Sequence, residues 1–172
     1  AEPPVCTRDV HQWFSLQDAS LQQLDATGFG GWTVISPACF ASLGAFLSFD
    51  PRPLMRNKRS IVTFHFYEPL GFTHQGHSGL AAHMTYLDAL PFPFDGERTL
   101  RGLEAARERL SRDRSVDADE QSRRWDALRS ELRTYEATGA DTRFVRARLS
   151  AAAAYAQVLG IPPDRVIIGE FG

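Results

Sequence analysis

Two runs constrain this chain most: Ile61-Val62-Thr63-Phe64-His65-Phe66-Tyr67 and Val166-Ile167-Ile168-Gly169-Glu170. Neither alternates apolar with polar residues, as a strand with one solvated face does, and β-branched and aromatic side chains dominate both. Such strands are buried on both faces, which implies a parallel sheet covered by helices. Trp32 to Ser36, closed by Pro37, reads as a third, shorter strand. Helical periodicity fills the intervals. From His11 to Thr27, Phe14, Leu21 and Leu24 share a face widened by Trp13 and Leu16, until Gly28, Gly30 and Gly31 stop it. A second helix is expected over about Phe40 to Phe49. Charged helices are expected over Thr99 to Ser111, Asp119 to Thr138 and Asp141 to Leu159. Glu68 to Gly96, punctuated by Gly and Pro, reads as a loop region. The order strand, helix, strand, loop and helices, strand defines the class as α/β.

With 43% hydrophobic and 23% charged residues, the 172-residue chain can bury a core and is no disordered tail. A net charge of -2 gives no electrostatic ground for a nucleic acid or an anionic membrane as partner. No run of about 18 apolar residues occurs, so no membrane span is expected. The arginines between Arg98 and Arg148 are balanced by Glu and Asp at helical spacing, as on a solvated helix face. Trp125, Leu128 and Leu132 form a stripe among them that reads as core. Cys6 and Cys39 permit at most one disulfide and read more simply as two core thiols. Ala1 to Cys6 carries neither a basic nor an apolar leader segment and no initiator Met, so a processed chain or an internal piece is expected.

In parallel α/β architectures, ligands sit at the carboxyl ends of the strands. Three such places carry polar groups here. Glu170 ends the last strand. His65 and Tyr67, two residues apart, point to one side at the end of the middle strand. Glu2-Pro3 stands just before the first helix, where a preceding strand would end. Two carboxylates and a His/Tyr pair suit cleavage of a glycosidic bond: one acid protonates the leaving oxygen and the other attacks the anomeric carbon. A single Glu at a strand end is commonly a cap or an ion-pair partner, so the combination carries this reading. A metal site from His65, His74, His77 and His83 matches no usual zinc spacing. No metal or cofactor is expected.

Val166-Ile167-Ile168-Gly169-Glu170-Phe171-Gly172 resembles the seventh-strand segment of glycoside hydrolase family 5, whose nucleophile stands in a Gly-Glu-Phe-Gly context. Ile61 to Tyr67, followed by Glu68-Pro69-Leu70-Gly71-Phe72-Thr73-His74-Gln75-Gly76, is similar to that family's sixth strand and loop, with its His-x-Tyr. Leu90-Pro91-Phe92-Pro93 matches a Leu-Pro-Tyr-Pro run in a bacterial subset. Glu2-Pro3, Trp13, Leu16-Gln17 and Thr33-Val34-Ile35 follow the family's order from the end of its fourth strand to its fifth. The resemblance implies a partial (β/α)8 barrel, from about the end of the fourth strand to the seventh. It implies Glu170 as nucleophile and Glu2 as acid/base of a retaining, cellulase-like hydrolase acting on a β-linked polysaccharide or oligosaccharide. His65 is then expected to orient the acid/base and Tyr67 to hydrogen-bond the nucleophile, with His74 and Gln75 as sugar contacts. A secreted or periplasmic location is suggested by the resemblance alone.

Ala1 stands where the family has Asn, through substitution or because the chain was cut there. Nothing corresponds to the family's first three strands or its eighth. A (β/α)8 barrel needs about 250 residues, with 200 near the floor. The expectation is therefore a fragment, a truncated product, or a chain whose remaining strands come from elsewhere, inactive or nearly so by itself. The alternative is a sugar-binding, non-catalytic piece of a degenerate barrel.

Overall fold

The computed structural model describes residues 10–172. It comprises two compact units. Arg148–Gly172 joins the residues up to Phe66 in one, and Tyr67–Ala147 forms the other. Glu2, Pro3 and Cys6 lie outside the described residues.

The first unit is α/β. Strands β1 (Thr33–Ile35), β2 (Ser60–Phe66) and β3 (Val166–Phe171) form a parallel sheet in the order β1-β2-β3. Thr33 pairs with Ser60 and Ile35 with Val62 on one side of β2, and Val62 pairs with Val166 on the other. Helix α1 (Val10–Ala26) ends as its glycine demands. Gly28 adopts φ 71°, and the amides of Gly28 and Phe29 return to the carbonyls of Asp25 and Leu24 at 3.0 and 3.3 Å. This double closure returns the Asp25 and Leu24 carbonyls of the last turn to backbone amides. Helix α7 (Thr142–Val158) ends the same way at Gly160, φ 68°, with Ile161 donating to Ala156 at 2.9 Å.

Helix α1 also holds the end of β1. Trp13 Nε1 and Gln17 Nε2 both donate to the Ser36 carbonyl at 2.9 Å, while Gln17 Oε1 accepts from the Ser36 amide at 3.3 Å. The core beneath the sheet centres on Phe46, which is fully buried. It stacks on Phe64 at 5.0 Å and meets the Tyr155 ring edge-on at 5.8 Å.

The helix expected over Phe40 to Phe49 does not form as one piece. Helix α2 (Ala38–Ala41) is a single turn wound the wrong way, with Cys39, Phe40 and Ala41 at φ 62°, 55° and 51°. Ser42 then returns to extended backbone, and its Oγ accepts from the Ala45 amide at the start of the short helix α3 (Leu43–Phe46). The helix is interrupted because Ser42 forms a parallel bridge with His65, drawing the chain alongside β2. Three side-chain-bearing residues in the left-handed region cost about 3–6 kcal/mol together, so tertiary contacts must hold them there.

The expectation that all three strands are buried on both faces holds for β2 alone. Trp32 and Val34 are exposed at β1, and so are Ile167, Ile168 and Phe171 on β3. These strands occupy the two edges of the described sheet.

The second unit is built from α5 (Gly96–Arg112) and α6 (Ala118–Thr138), with the short α4 (Leu70–Thr73) and a 3-10 turn at Ala82–Tyr86. Asp95 and Asp117 cap the two long helices, each accepting an amide hydrogen bond at 2.8 Å. The stretch 68–96 is more than a loop. Met84, Tyr86, Leu87 and Leu90 are buried against Leu110, Leu128, Leu132 and Tyr135. Its Gly and Pro residues mask a packed segment because turns place those side chains without any helical or strand period. The stripe of Leu128 and Leu132 is core, as expected, with Trp125 packed against it.

No helix among the described residues is long and apolar enough to cross a membrane. Phe46→Ala removes the ring that joins Phe64 to Tyr155. It is expected to destabilise the first unit by about 3–5 kcal/mol, read as a shift in the denaturant midpoint.

Candidate active site

Glu170 owes its position to an irregularity in the sheet. Phe64 pairs with Ile168, but the next pair is His65 with Glu170, so Gly169 is an extra residue on β3. Side chains alternate along a strand, and a one-residue slip moves each to the opposite face. Without the bulge, Glu170 would align with Phe66, whose side chain is buried. With it, Glu170 stands beside His65 and turns to the other face.

Glycine fits the bulge without displacing a neighbour. A Cβ at position 169 would lie 2.5 Å from Thr63 Oγ1, a separation no side chain tolerates, and 3.4 Å from His65 Cδ2. The Thr63 hydroxyl is buried and has no hydrogen-bond partner among the described residues.

His65 Nδ1 lies 3.4 Å from Glu170 Oε2, with the His65 side chain 25% exposed and Glu170 56% exposed. Protonation of the imidazole turns this contact into an ion pair. On the other side of β2, His65 bridges to Ser42. Paired residues of parallel neighbours share a face, so Ser42, His65 and Glu170 form one polar row across the carboxyl end of the sheet. Nothing local in the sequence marks the contact between His65 and Glu170, which lie over a hundred residues apart.

In the second unit, the Tyr67 and His74 rings meet edge to face at 5.0 Å. Thr73 Oγ1 donates to the Tyr67 carbonyl at 2.6 Å and lies 2.9 Å from His74 Nδ1. A hydroxyl has one proton, already given to Tyr67, so Nδ1 must carry the hydrogen in the second contact. Neutral His74 is thereby held as the Nδ1–H tautomer, with Nε2 as its acceptor. Burial pushes the His74 pKa down; the nearby His77 adds to this and Glu131 opposes it. The Gln75 amide is committed to the fold at both ends, accepting from Leu90 N at 2.8 Å and donating to Leu90 O at 3.4 Å.

Glu2 lies outside the described residues. Among those described, no group of three or more His, Cys, Asp or Glu could hold a metal ion. A cavity of about 560 Å³ opens in the second unit between Leu103, Arg129, Leu132 and Glu136, and none of the candidate residues lines it. Ser42 and the structural part of Gly169 differ in how far the sequence marks them. The glycine inside an apolar strand was a signal for a bulge, whereas nothing local marks Ser42. No family model, curated protein or solved structure matches the chain.

Gly169→Ala is expected to destabilise the protein by about 1–3 kcal/mol through overpacking. Thr63→Ala, which removes the obstructing oxygen, should recover most of that loss in the double variant; urea melts of the four proteins test both expectations. In the window just below pH 6.5, a depressed His74 pKa means that the folded form binds fewer protons than the unfolded one. Stability therefore rises with pH across that window. The melting temperature of His74→Gln is expected to depend less steeply on pH there than that of the parent.

Proposed function

We propose that the chain is part of the catalytic domain of a retaining glycoside hydrolase of the family 5 type, acting on β-linked polysaccharides or oligosaccharides. In this reading, the three parallel strands and the segment bearing Glu2 correspond to the fourth-to-seventh portion of a (β/α)8 barrel. The observation that carries it is the Gly169 bulge, which turns Glu170 away from the core and onto a polar row at the carboxyl end of the sheet. Barrel strands have neighbours on both sides, and the apolar residues exposed at β1 and β3 agree with that.

Glu170 attacks the anomeric carbon as the glycosidic bond breaks, and Glu2 gives its proton to the departing sugar oxygen. Water then attacks the same carbon, losing a proton to Glu2 and releasing the Glu170 carboxylate. This double displacement requires carboxyl groups about 5–5.5 Å apart. His65, at 3.4 Å, orients the Glu170 carboxylate. Gln75, bound at both ends to Leu90, shapes the loop that carries His74.

The test is covalent trapping. Incubation with 2-deoxy-2-fluoro β-glycosides bearing a good leaving group is expected to add one glycosyl mass to the peptide bearing Glu170 in a longer protein that contains this chain, and little or none in the 172-residue chain by itself. Glu170→Gln is expected to abolish both the adduct and hydrolysis of β-glucans, a loss of at least about a thousandfold. Hydrolysis that proceeds with the label on another residue would sink the assignment.

A further inference from the structure

Helices α5 and α6 share a core of Ala106, Leu110, Leu128 and Leu132, but close packing does not reach the amino end of α5 and the carboxyl end of α6. The cavity of about 560 Å³ remains there, wholly within the second unit. Its volume is that of a site for a small molecule. Helix α5 contributes Leu100 and Leu103 to the lining, and Leu100 is 56% exposed. Helix α6 contributes Arg129, Arg133 and Glu136, at i, i+4 and i+7. That is the spacing at which a packed helix presents apolar residues to its neighbour. Leucines at these positions would close the gap; the charged residues keep it open.

The two arginines are also poorly matched with carboxylates. On the same helices Arg112, Arg123 and Arg124 lie within 3.2 Å of a Glu three or four positions away, as helical spacing provides. Arg129 reaches only Asp126, at 3.7 Å. Arg133 and Glu136 have no ion pair among the described residues, so the cavity carries one cation in excess. Thr99 belongs to the same lining. It is 7% exposed, and its hydroxyl has no hydrogen-bond partner among the described residues. An unbonded interior hydroxyl destabilises the fold. A turn about χ1, for which a helical threonine has two good rotamers, offers that hydroxyl to an acceptor in the cavity. A carboxylate supplies both the acceptor and the missing negative charge. An apolar body attached to it covers Leu100 and Leu103.

We propose that the cavity between α5 and α6 binds a small carboxylate with an apolar body, an aliphatic or aryl-substituted acid. Its carboxylate lies on Arg129 and Arg133 and its body on Leu100 and Leu103. The site shares no residue with the row of Ser42, His65 and Glu170 and does not depend on what that row does.

The experiment is calorimetric titration of the 172-residue chain with octanoate and phenylbutyrate, beside acetate, octanamide and inorganic phosphate. At least one of the two acids is expected to bind at a single site. Acetate, which lacks the body, and octanamide, which lacks the charge, should bind about tenfold more weakly or worse. Arg133→Gln is expected to weaken binding about tenfold and Arg133→Lys by less, because an ammonium keeps the charge without the guanidinium fork. Thr99→Val should weaken it severalfold with no fall in melting temperature, since it removes an unbonded hydroxyl at constant shape. Glu170→Gln should leave affinity unchanged. No saturable binding of either acid, octanamide or phosphate bound as tightly, or full affinity in Arg133→Gln overturns the proposal. Should Arg133→Gln melt below the parent, Thr99→Val decides, and unchanged affinity there overturns it.

Discussion

The contact between Gly169 and Thr63 governs the working end of the first unit. Arg165 sets the register at the start of β3, donating to the carbonyls of Ser60 and Asn57 at 2.6 and 2.9 Å. From Val62–Val166 to Phe64–Ile168 the pairing is regular. The surplus residue is then taken up at position 169, where Thr63 leaves room for a hydrogen and nothing larger. Every later side chain of β3 is displaced by one position. The carboxylate of Glu170 reaches His65 for that reason and not through any preference of its own.

The same central strand organises the other side. By pairing with Ser42, His65 interrupts what would have been a helix and stabilises a left-handed turn of non-glycine residues. Two departures from regular structure, a bulge on one neighbour and a reversed turn on the other, thus flank one histidine. Strain of this kind survives only where the surroundings impose it, and here the surroundings are the paired backbone of β2. Its other face is an aromatic core, with Phe64 against Phe46 and Phe66 buried beside it. That packing keeps β2 rigid enough to hold both irregularities.

Most helices could be read from local chemistry. Asp95 and Asp117 as caps, Gly28 and Gly160 as stops, and the stripe of Leu128 and Leu132 act through neighbours within a turn or two of chain. The parallel sheet followed from the lack of alternation in Ile61 to Tyr67. The turn at Cys39 to Ala41 did not follow, because its cause lies over twenty residues away at His65. Nor did the packing of Met84, Tyr86 and Leu87, which turn geometry brings to one core without a period to reveal it. The candidate residues His65, Tyr67, His74 and Glu170 stood out as polar groups where apolar strands stop or turns begin. Their partners did not stand out.

Sequence alone determined the three strands, the long helices and the α/β class of the strand-bearing unit. Those properties reside in side-chain volume, polarity and period, which each short segment carries with it. Only the tertiary structure decided that Glu170 faces His65 and that Thr73 fixes the tautomer of His74. It also decided that the Gln75 amide is bound to Leu90 and that Phe40 points outward. Each depends on a register or a close approach between distant segments, where a single oxygen such as Thr63 Oγ1 selects between two faces of a strand.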